Sequence, residues 1–505
     1  MSGPNPLVIV TLPDRTIDAA RARLSTLSGR GVDLAEIRVD RLRPDERARL
    51  GELFPSSVAL LGTYRSRSEG GEGNDLGAER DAVLDRLSAL PFRYLDLERR
   101  ADATRIGRVA ARAGPLAFVV SAHLPDGASL GDIRAAIADA PPDGSLTKAV
   151  VPATIDRFYS EIRPLVADDR LRGTRSTLLT TGGSGPILRA LGRHFGLPLV
   201  FAAPPLSPAP PEPAEVVEPS QIPVDALTSY WRQEERGRLF GVLGHPVGHS
   251  ASPDIHNRWY LAEERPALFV ALDVATLEEL RHSLLPLHDD GFAGFSVTHP
   301  WKEAALELAA RASDDARASG CANALTFEDG AWAADNFDVE ACRRRASELR
   351  AAHRWAGDEL LVLGAGGAAR ATLLAARQLK VPARILARDP GAARRLAREF
   401  GAEVEPEGSR PASLVVHATP SGRSGTDALS VDWEPHVRPG TFFLDFVYRP
   451  DHDELARRSR ARGAHYEDGG RLLVYQAVEA HRRWWGERPA LALIDRALEG
   501  VGCTA

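Results

Sequence analysis

Short apolar runs recur through the first 205 residues, at Leu7–Thr11, Leu34–Val39, Val58–Tyr64, Arg93–Leu97, Ala117–Ser121, Leu146–Val151, Ser176–Thr181 and Leu199–Ala203. Amphipathic stretches rich in Ala, Arg and Leu separate most of them. Such runs read as buried strands and the stretches between them as helices. Eight strand–helix units in succession predict an α/β domain closed as a (β/α)8 barrel, with an open doubly wound sheet as the competitor. A different pattern starts at Leu239, where an apolar run ends in a turn punctuated by Gly241, Gly244 and Gly248 before a helix at Pro253. Further on, Leu360–Leu363 is an apolar strand feeding Gly364-Ala-Gly366-Gly367-Ala368 and an Ala-rich helix. At 505 residues the chain exceeds what one core organises, so two or three domains are expected.

Composition narrows the class. The net charge of −6 argues against general nucleic-acid affinity, and no apolar run reaches membrane-spanning length. Cys321, Cys342 and Cys503 are too scattered for a disulfide framework or a thiolate metal site, and no metal is expected. The N-terminus runs straight into Leu7-Val-Ile-Val-Thr without a signal-peptide pattern, so the expectation is a cytoplasmic enzyme. Lys and Arg total 63, yet Lys148, Lys302 and Lys380 are the only lysines. A guanidinium stays protonated and can neither form an imine nor readily give up a proton, so lysine is kept where an amine is needed. Lys380, in Gln-Leu-Lys-Val-Pro, reads as a solvated cation at a helix end.

Polar residues gather where a barrel would build a site, at the carboxyl ends of strands. Glu36, Arg38 and Asp40 close the second run, and Arg65 and Glu69 follow the third. Asp96 and Glu98 lie in the fourth, His123 ends the fifth, and Lys148 belongs to the sixth. The ordered set Glu36-Ile-Arg38-Val-Asp40, Thr63-Tyr-Arg65, Glu69-Gly-Gly, Ser-Ala-His123 and Lys148-Ala-Val-Val-Pro resembles the type I 3-dehydroquinate dehydratase family, from about residue 7 to Gln221. The resemblance implies a (β/α)8 TIM barrel that removes water from 3-dehydroquinate through an imine on Lys148. It implies that His123 moves the proton, Glu69 orients the imidazole, and Arg189 clamps the substrate carboxylate with a bidentate pair. Glu36, Arg38, Arg65 and Gln221 would line the pocket. Ala122 and Leu124 flank the histidine where the family has an aromatic and an acid or amide, and Val217 and Glu218 stand where it commonly has Ser and Ala. The proline-dense stretch Pro204–Pro219 reads as a loop over the barrel mouth, able to act as a lid, or as a linker. Ile222–Gln233 would be the last barrel helix and Glu234–Arg238 the junction.

The second half carries another ordered set. Ser250-Ala-Ser252-Pro253, Ser296-Val-Thr298-His-Pro-Trp-Lys302, Gly320-Cys-Ala-Asn323, Asn336-Phe-Asp338, Tyr448 and Gln476 resemble the shikimate dehydrogenase family over roughly 239–490. The resemblance implies reduction of 3-dehydroshikimate, with Lys302 supplying the proton and Asp338 keeping that lysine cationic. Ser250, Ser252 and Tyr448 would hold the carboxylate, and Thr298, Asn323 and Gln476 would complete the substrate site. Gly364, Gly366, Gly367 and Ala368 form a strand–turn–helix that suits a pyrophosphate at a helix N-terminus. Arg388, at the end of the following strand, favours NADP over NAD, whereas Asp389 beside it pulls the other way. Thr419 and Ser421 resemble the loop that flanks the nicotinamide. Ser296, Phe337 and Ala341 replace the family's usual Asn, Thr and Gly.

The sequence therefore predicts an N-terminal barrel at 1–236 and a two-lobed dehydrogenase. The latter has an α/β substrate lobe at 239–340, a Rossmann-like NADP lobe at 341–470, and a C-terminal helical segment at 471–505 returning to the substrate lobe. Small-molecule substrates are the expected partners, with neither nucleic acid nor membrane, and the oligomeric state stays open. An NAD-linked dehydrogenase preferring quinate, or a metabolite sensor built from these domains, are the other readings.

Overall fold

The computed structural model describes residues 6–104, 106, 116–138, 145–168, 174–207, 216–232, 237–406, 410–421, 429, 431–448 and 454–501. By contacts the chain divides into two compact units. One comprises Met1–Leu239 with Pro246–Ser250 and Tyr260–Gly291; the other comprises Phe240–His245, Ala251–Trp259 and Phe292–Ala505.

The first unit contains eight parallel strands, and each predicted run becomes one of them. They are β1 (Leu7–Leu12), β2 (Leu34–Arg38), β3 (Ala59–Thr63), β4 (Tyr94–Glu98), β5 (Ala117–His123), β6 (Leu146–Pro152), β7 (Ser176–Thr181) and β8 (Leu199–Ala202). Their order is β7-β6-β5-β4-β3-β2-β1-β8, and Thr177 Oγ1 donates to Leu199 O at 3.2 Å between the two end strands. This is a nearly closed barrel rather than an open doubly wound sheet, which would reverse its order at a switch point. Parallel strands are covered on both faces, hence their near-continuous apolar sequence. The last barrel helix spans Val224–Trp231 and buries Val224, Ala226, Leu227, Tyr230 and Trp231. Half of the proline-dense stretch (208–215), the last residue expected of the barrel helix (233) and most of the expected junction (234–236) lie outside the described residues.

Two further sheets follow. The first consists of β9 (Arg238–Gly244), β10 (Ala267–Asp273), β11 (Phe292–Val297), β12 (Arg311–Ala312), β13 (Ala324–Glu328) and β14 (Ala331–Asp335), ordered β10-β9-β11-β13-β14-β12. In it β13 runs antiparallel to both β11 and β14. The second consists of β15 (Leu360–Leu363), β16 (Ala383–Leu386), β17 (Glu403–Val404), β18 (Leu414–His417), β19 (Phe442–Asp445) and β20 (His465–Glu467). It is wholly parallel in the order β17-β16-β15-β18-β19-β20, with the order reversing at β15, as in a dinucleotide-binding sheet. The helix Gly470–Trp485 returns to the earlier sheet. A Cβ placed on Gly294 of β11 would lie 2.4 Å from Trp484 Nε1, so glycine lets that helix approach the strand. Lys380 lies exposed just beyond the helix Gly367–Gln378, as expected. No described helix is long and apolar enough to cross a membrane.

Candidate active sites

The carboxyl ends of the barrel strands open into a cavity of about 880 Å³, lined by Glu36, Arg38, Arg65, Glu69, His123, Lys148, Arg189 and Gln221 among others. The structure thus brings all eight expected residues of this half around one space. Lys148 projects from β6, 4 % exposed, with Nζ 2.7 Å from Asp96 Oδ2 and 4.6 Å from the Phe201 ring centroid. Burial, and after it the Arg65 cation, push its amine below the ordinary lysine range against the pull of Asp96. Asp96 is held in its ionised form although burial alone would raise it, because Arg65 and Lys148 both face it. Arg65 Nη2 lies 2.8 Å from Asp96 Oδ1, while its Nη1 donates to Ser121 Oγ at 2.8 Å and to Glu69 Oε2 at 3.1 Å.

His123 ends β5 and meets Glu69 through Nδ1 at 2.9 Å, and the His123 backbone N–H donates to the same Oε2 at 3.2 Å. Burial raises the Glu69 carboxyl to about 7, with Glu98 and Asp96 adding to the rise and Arg65 opposing it. His123 is pushed well below the usual histidine range by burial, then by Arg65 and Lys148. Its side chain keeps 26 % of its surface accessible inside the cavity. Glu69 reaches this place on a one-turn helix, Arg67–Glu69, closed by two glycines. Gly70 is left-handed at φ 81°, and a Cβ on Gly71 would lie 2.2 Å from Arg65 O, so the Glu-Gly-Gly sequence is a steric requirement.

Glu36 accepts from Thr63 Oγ1 at 2.7 Å and from Thr11 Oγ1 at 2.8 Å, and Gln221 Nε2 donates to Thr11 Oγ1 at 3.1 Å. Arg38 is paired in parallel with Asp40 at 2.9 and 2.7 Å. Arg189 departs from expectation in one respect. Its Nε donates to Phe201 O at 3.2 Å, and its Nη1 donates to Thr180 O at 2.7 Å and Gly185 O at 2.9 Å. The two-nitrogen fork foreseen for a carboxylate is therefore spent on the backbone. Nη2 remains without an acceptor among the described residues, and burial lowers this guanidinium to about 10.

In the second unit Lys302 Nζ donates to Asp338 Oδ2 at 2.5 Å, and Asn323 Nδ2 donates to Asp338 Oδ1 at 3.0 Å. Asn323 Oδ1 in turn accepts the Phe337 N–H at 2.7 Å. Asn336 caps the following helix by accepting the Asp338 N–H at 3.2 Å, which fixes Asp338 in the first turn. Thr298, at the end of β11, donates its N–H to Leu243 O at 2.9 Å and leads through a turn into Lys302. Tyr448 Oη accepts the Ala251 N–H at 3.3 Å, and Ser252, the first residue of the helix Ser252–Ala262, is buried. Ser250 precedes that helix on a turn whose N–H donates to Val247 O at 2.9 Å. Gln476, in the helix Gly470–Trp485, donates Nε2 to Leu473 O at 2.8 Å.

The glycine turn meets this lysine. A Cβ on Gly367 would lie 3.0 Å from Lys302 Cδ, and one on Gly364 would lie 2.7 Å from Thr419 Cγ2. Gly364 has φ 121°, and Gly366 caps the helix Gly367–Gln378 without a side chain, leaving Ala368 and its neighbours to present backbone N–H groups. This turn fits a dinucleotide pyrophosphate. Arg388 stands exposed just past β16. Asp389 is the N-cap of the helix Pro390–Phe400, its Oδ1 accepting the Gly391 N–H at 2.8 Å. The negative charge that weakened the NADP expectation is thereby engaged in capping. Ser421 N–H donates to Thr419 Oγ1 at 3.2 Å.

The sequence model of the type I 3-dehydroquinase family matches residues 8–236, and that of the shikimate dehydrogenase substrate binding domain matches residues 242–325. A shikimate dehydrogenase (NADP(+)) of Rubrobacter xylanophilus is 38 % identical over 281 residues, covering 52 % of this chain and 96 % of that protein. The chain belongs to the shikimate dehydrogenase family, with a type I 3-dehydroquinase domain ahead of it. A second relative, the shikimate dehydrogenase (NADP(+)) of Maricaulis maris, is 36 % identical over 273 residues, 52 % of this chain and 96 % of its own. Among solved structures, dehydroquinate dehydratase and shikimate dehydrogenase from S. pombe AroM covers 98 % of both chains at 21 % identity and a TM-score of 0.42. Shikimate 5-dehydrogenase from Thermus thermophilus in complex with shikimate covers 52 % of this chain and 99 % of that one, at 32 % identity and a TM-score of 0.47.

One polar residue at the barrel site gains a partner that the sequence does not reveal, and one pair in the dehydrogenase lies outside the sequence-based expectations. Asp96 was visible as a polar residue in the fourth run, but nothing in its spacing tied it to Lys148. Asp96 and Glu98 stand two apart on one strand, both buried, and that period-two signal was available. His417 and Asp445 were not singled out at all. They are the last residues of two adjacent parallel strands and partners in register.

Proposed function

We propose that the barrel dehydrates 3-dehydroquinate through Lys148 and that the dehydrogenase then reduces the product, 3-dehydroshikimate, with NADPH. The observation that carries the reading is the shared cavity, in which a buried lysine with a lowered pKa sits with a histidine–glutamate pair. The neutral amine adds to the ketone and expels water to give an imine. The protonated imine draws electrons from the neighbouring carbon, and His123, neutral and oriented by Glu69, takes the proton there. The departing hydroxyl leaves as water with a proton returned from His123, and hydrolysis of the imine frees Lys148. Arg189 Nη2, Gln221, Glu36, Arg38 and Arg65 hold the carboxylate and hydroxyls of the substrate.

In the dehydrogenase, Lys302 donates a proton to the carbonyl oxygen as it becomes an alkoxide, and Asp338 holds both that lysine and a substrate hydroxyl. Asn323, Thr298 and Gln476 orient the ring, and Ser250, Ser252 and Tyr448 take the carboxylate. Gly364, Gly366, Gly367 and Ala368 hold the pyrophosphate, Arg388 the extra phosphate, and Thr419 and Ser421 the nicotinamide side. NADPH, when bound, supplies the hydride. The NADP(+) names of the relatives support this choice over an NAD-linked quinate enzyme, as does the use of Asp389 as a helix cap. We divide the chain at 1–236, 239–340, 341–470 and 471–505 and place it in the cytoplasm, in keeping with a biosynthetic enzyme. Incubation with 3-dehydroquinate tests the whole reading. Enone absorbance should rise without cofactor, and NADPH should be consumed once added; binding without turnover would instead mark a sensor.

A further inference from the structure

A buried polar chain at the carboxyl end of the second parallel sheet is left unused by this mechanism. His417 is 0 % exposed and Asp445 2 %. Nδ1 of His417 lies 2.8 Å from Asp445 Oδ1, and Nε2 lies 2.5 Å from Thr419 Oγ1. Asp445 also accepts the Val447 N–H at 2.8 Å on Oδ1 and the Tyr466 hydroxyl at 2.9 Å on Oδ2. A carboxylate only accepts, so Nδ1 carries a proton toward Asp445, and Nε2 is left to meet the Thr419 hydroxyl. Thr419 Oγ1 is thereby bonded inward to Nε2 while it receives the Ser421 N–H. With its hydroxyl turned inward, Thr419 presents Cγ2 toward the Gly364 turn, close enough that a β-carbon there would clash.

We infer that His417 is a positioning residue for the reduction: held by Asp445, it fixes Thr419 and the loop to Ser421 against the glycine turn, the wall that the nicotinamide end of NADPH meets. The inference rests on the proposed role of Thr419 and Ser421 at the cofactor. The chain runs from a rigid strand pair to a half-buried loop residue, so its order is delivered at the site. A purely structural buried pair would have no reason to end there.

The test uses the full-length protein, with equilibrium NADPH binding followed by fluorescence, reduction kinetics, and the dehydratase rate and melting curve of each preparation as controls. His417→Leu and Thr419→Val should each weaken NADPH binding about tenfold and raise its KM, with kcat changed less. The double variant should be no weaker than either single one, because both remove the same link. His417→Gln, which can still bridge Asp445 and Thr419, should recover most of the affinity. Should His417→Leu fold poorly, Thr419→Val, nearly isosteric, decides by itself. Unchanged affinity in Thr419→Val, or multiplied losses in the double variant, overturns the inference while leaving the NADPH reading intact. A parent protein that does not bind NADPH removes both.

Discussion

Both lysines meet an aspartate, Lys148 at 2.7 Å and Lys302 at 2.5 Å, and what separates them is what else each aspartate holds. Asp96 is shared with a second cation, Arg65, and with Ser121 Oγ at 2.5 Å. Asp338 is shared with a neutral amide, Asn323. In the barrel one carboxylate is divided between two cations in a buried site, so burial and repulsion push the Lys148 amine toward the neutral form a nucleophile needs. In the dehydrogenase one carboxylate meets one lysine, whose side chain keeps 18 % of its surface accessible, and the role proposed for that lysine is to give up a proton. An ion-pair distance says little about a lysine's task; the number of cations per carboxylate says more.

The sharpest way to break the comparison is to remove each amine in turn. Lys148→Met should lower dehydration by at least about 10³-fold and leave reduction of 3-dehydroshikimate untouched in the same preparation. Lys302→Ala should do the reverse, lowering kcat for reduction roughly 10²- to 10³-fold with dehydration unchanged. Loss of both activities from either change would mean that the two sites are not separate.

Glu69 tests the barrel's proton inventory. At 2.9 Å the Glu69–His123 pair titrates as one unit, and its acid limb belongs to the pair. With Glu69 raised to about 7, the pair holds an extra proton below that pH and cannot accept one from substrate. Dehydration should therefore be slow in acid and rise as pH passes through about 7. In Glu69→Gln the limb becomes that of His123, which burial and its cationic neighbours depress. The rise should move to lower pH, and the plateau should fall roughly ten- to a hundredfold. An unmoved limb would contradict the pairing.

The smallest expected effect concerns Asp389. As a helix cap, its change to Ala should lower the dehydrogenase Tm by roughly 2–4 °C and leave the NADP-to-NAD preference within about twofold. A preference raised tenfold or more would show that Asp389 faces the cofactor.

Much of this was legible beforehand, because strand periodicity is local. Each of the eight barrel runs became a strand, with no end shifted by more than two residues, and most of the polar residues at their carboxyl ends converged on one cavity. What stayed hidden depends on contacts between strands. Asp96 gains its meaning from Lys148, 52 positions away, and His417 from Asp445, 28 away in the adjacent strand. Arg189 was placed correctly as a cavity residue, but the carbonyls that occupy two of its three nitrogens belong to backbone geometry. Asp389 was misleading for the opposite reason. Its position beside Arg388 suggested a ribose contact, whereas Pro390 after it marks a helix start that an N-cap would serve.

An imine on Lys148 can be caught by reductive trapping. Full-length protein would be treated with 3-dehydroquinate and borohydride and then mapped by peptide mass. A stable substrate adduct is expected on the peptide containing Lys148, absent from Lys302 and lost in Lys148→Met. Dehydration that proceeds with no trapped adduct, or an adduct on another lysine, would contradict an imine on Lys148.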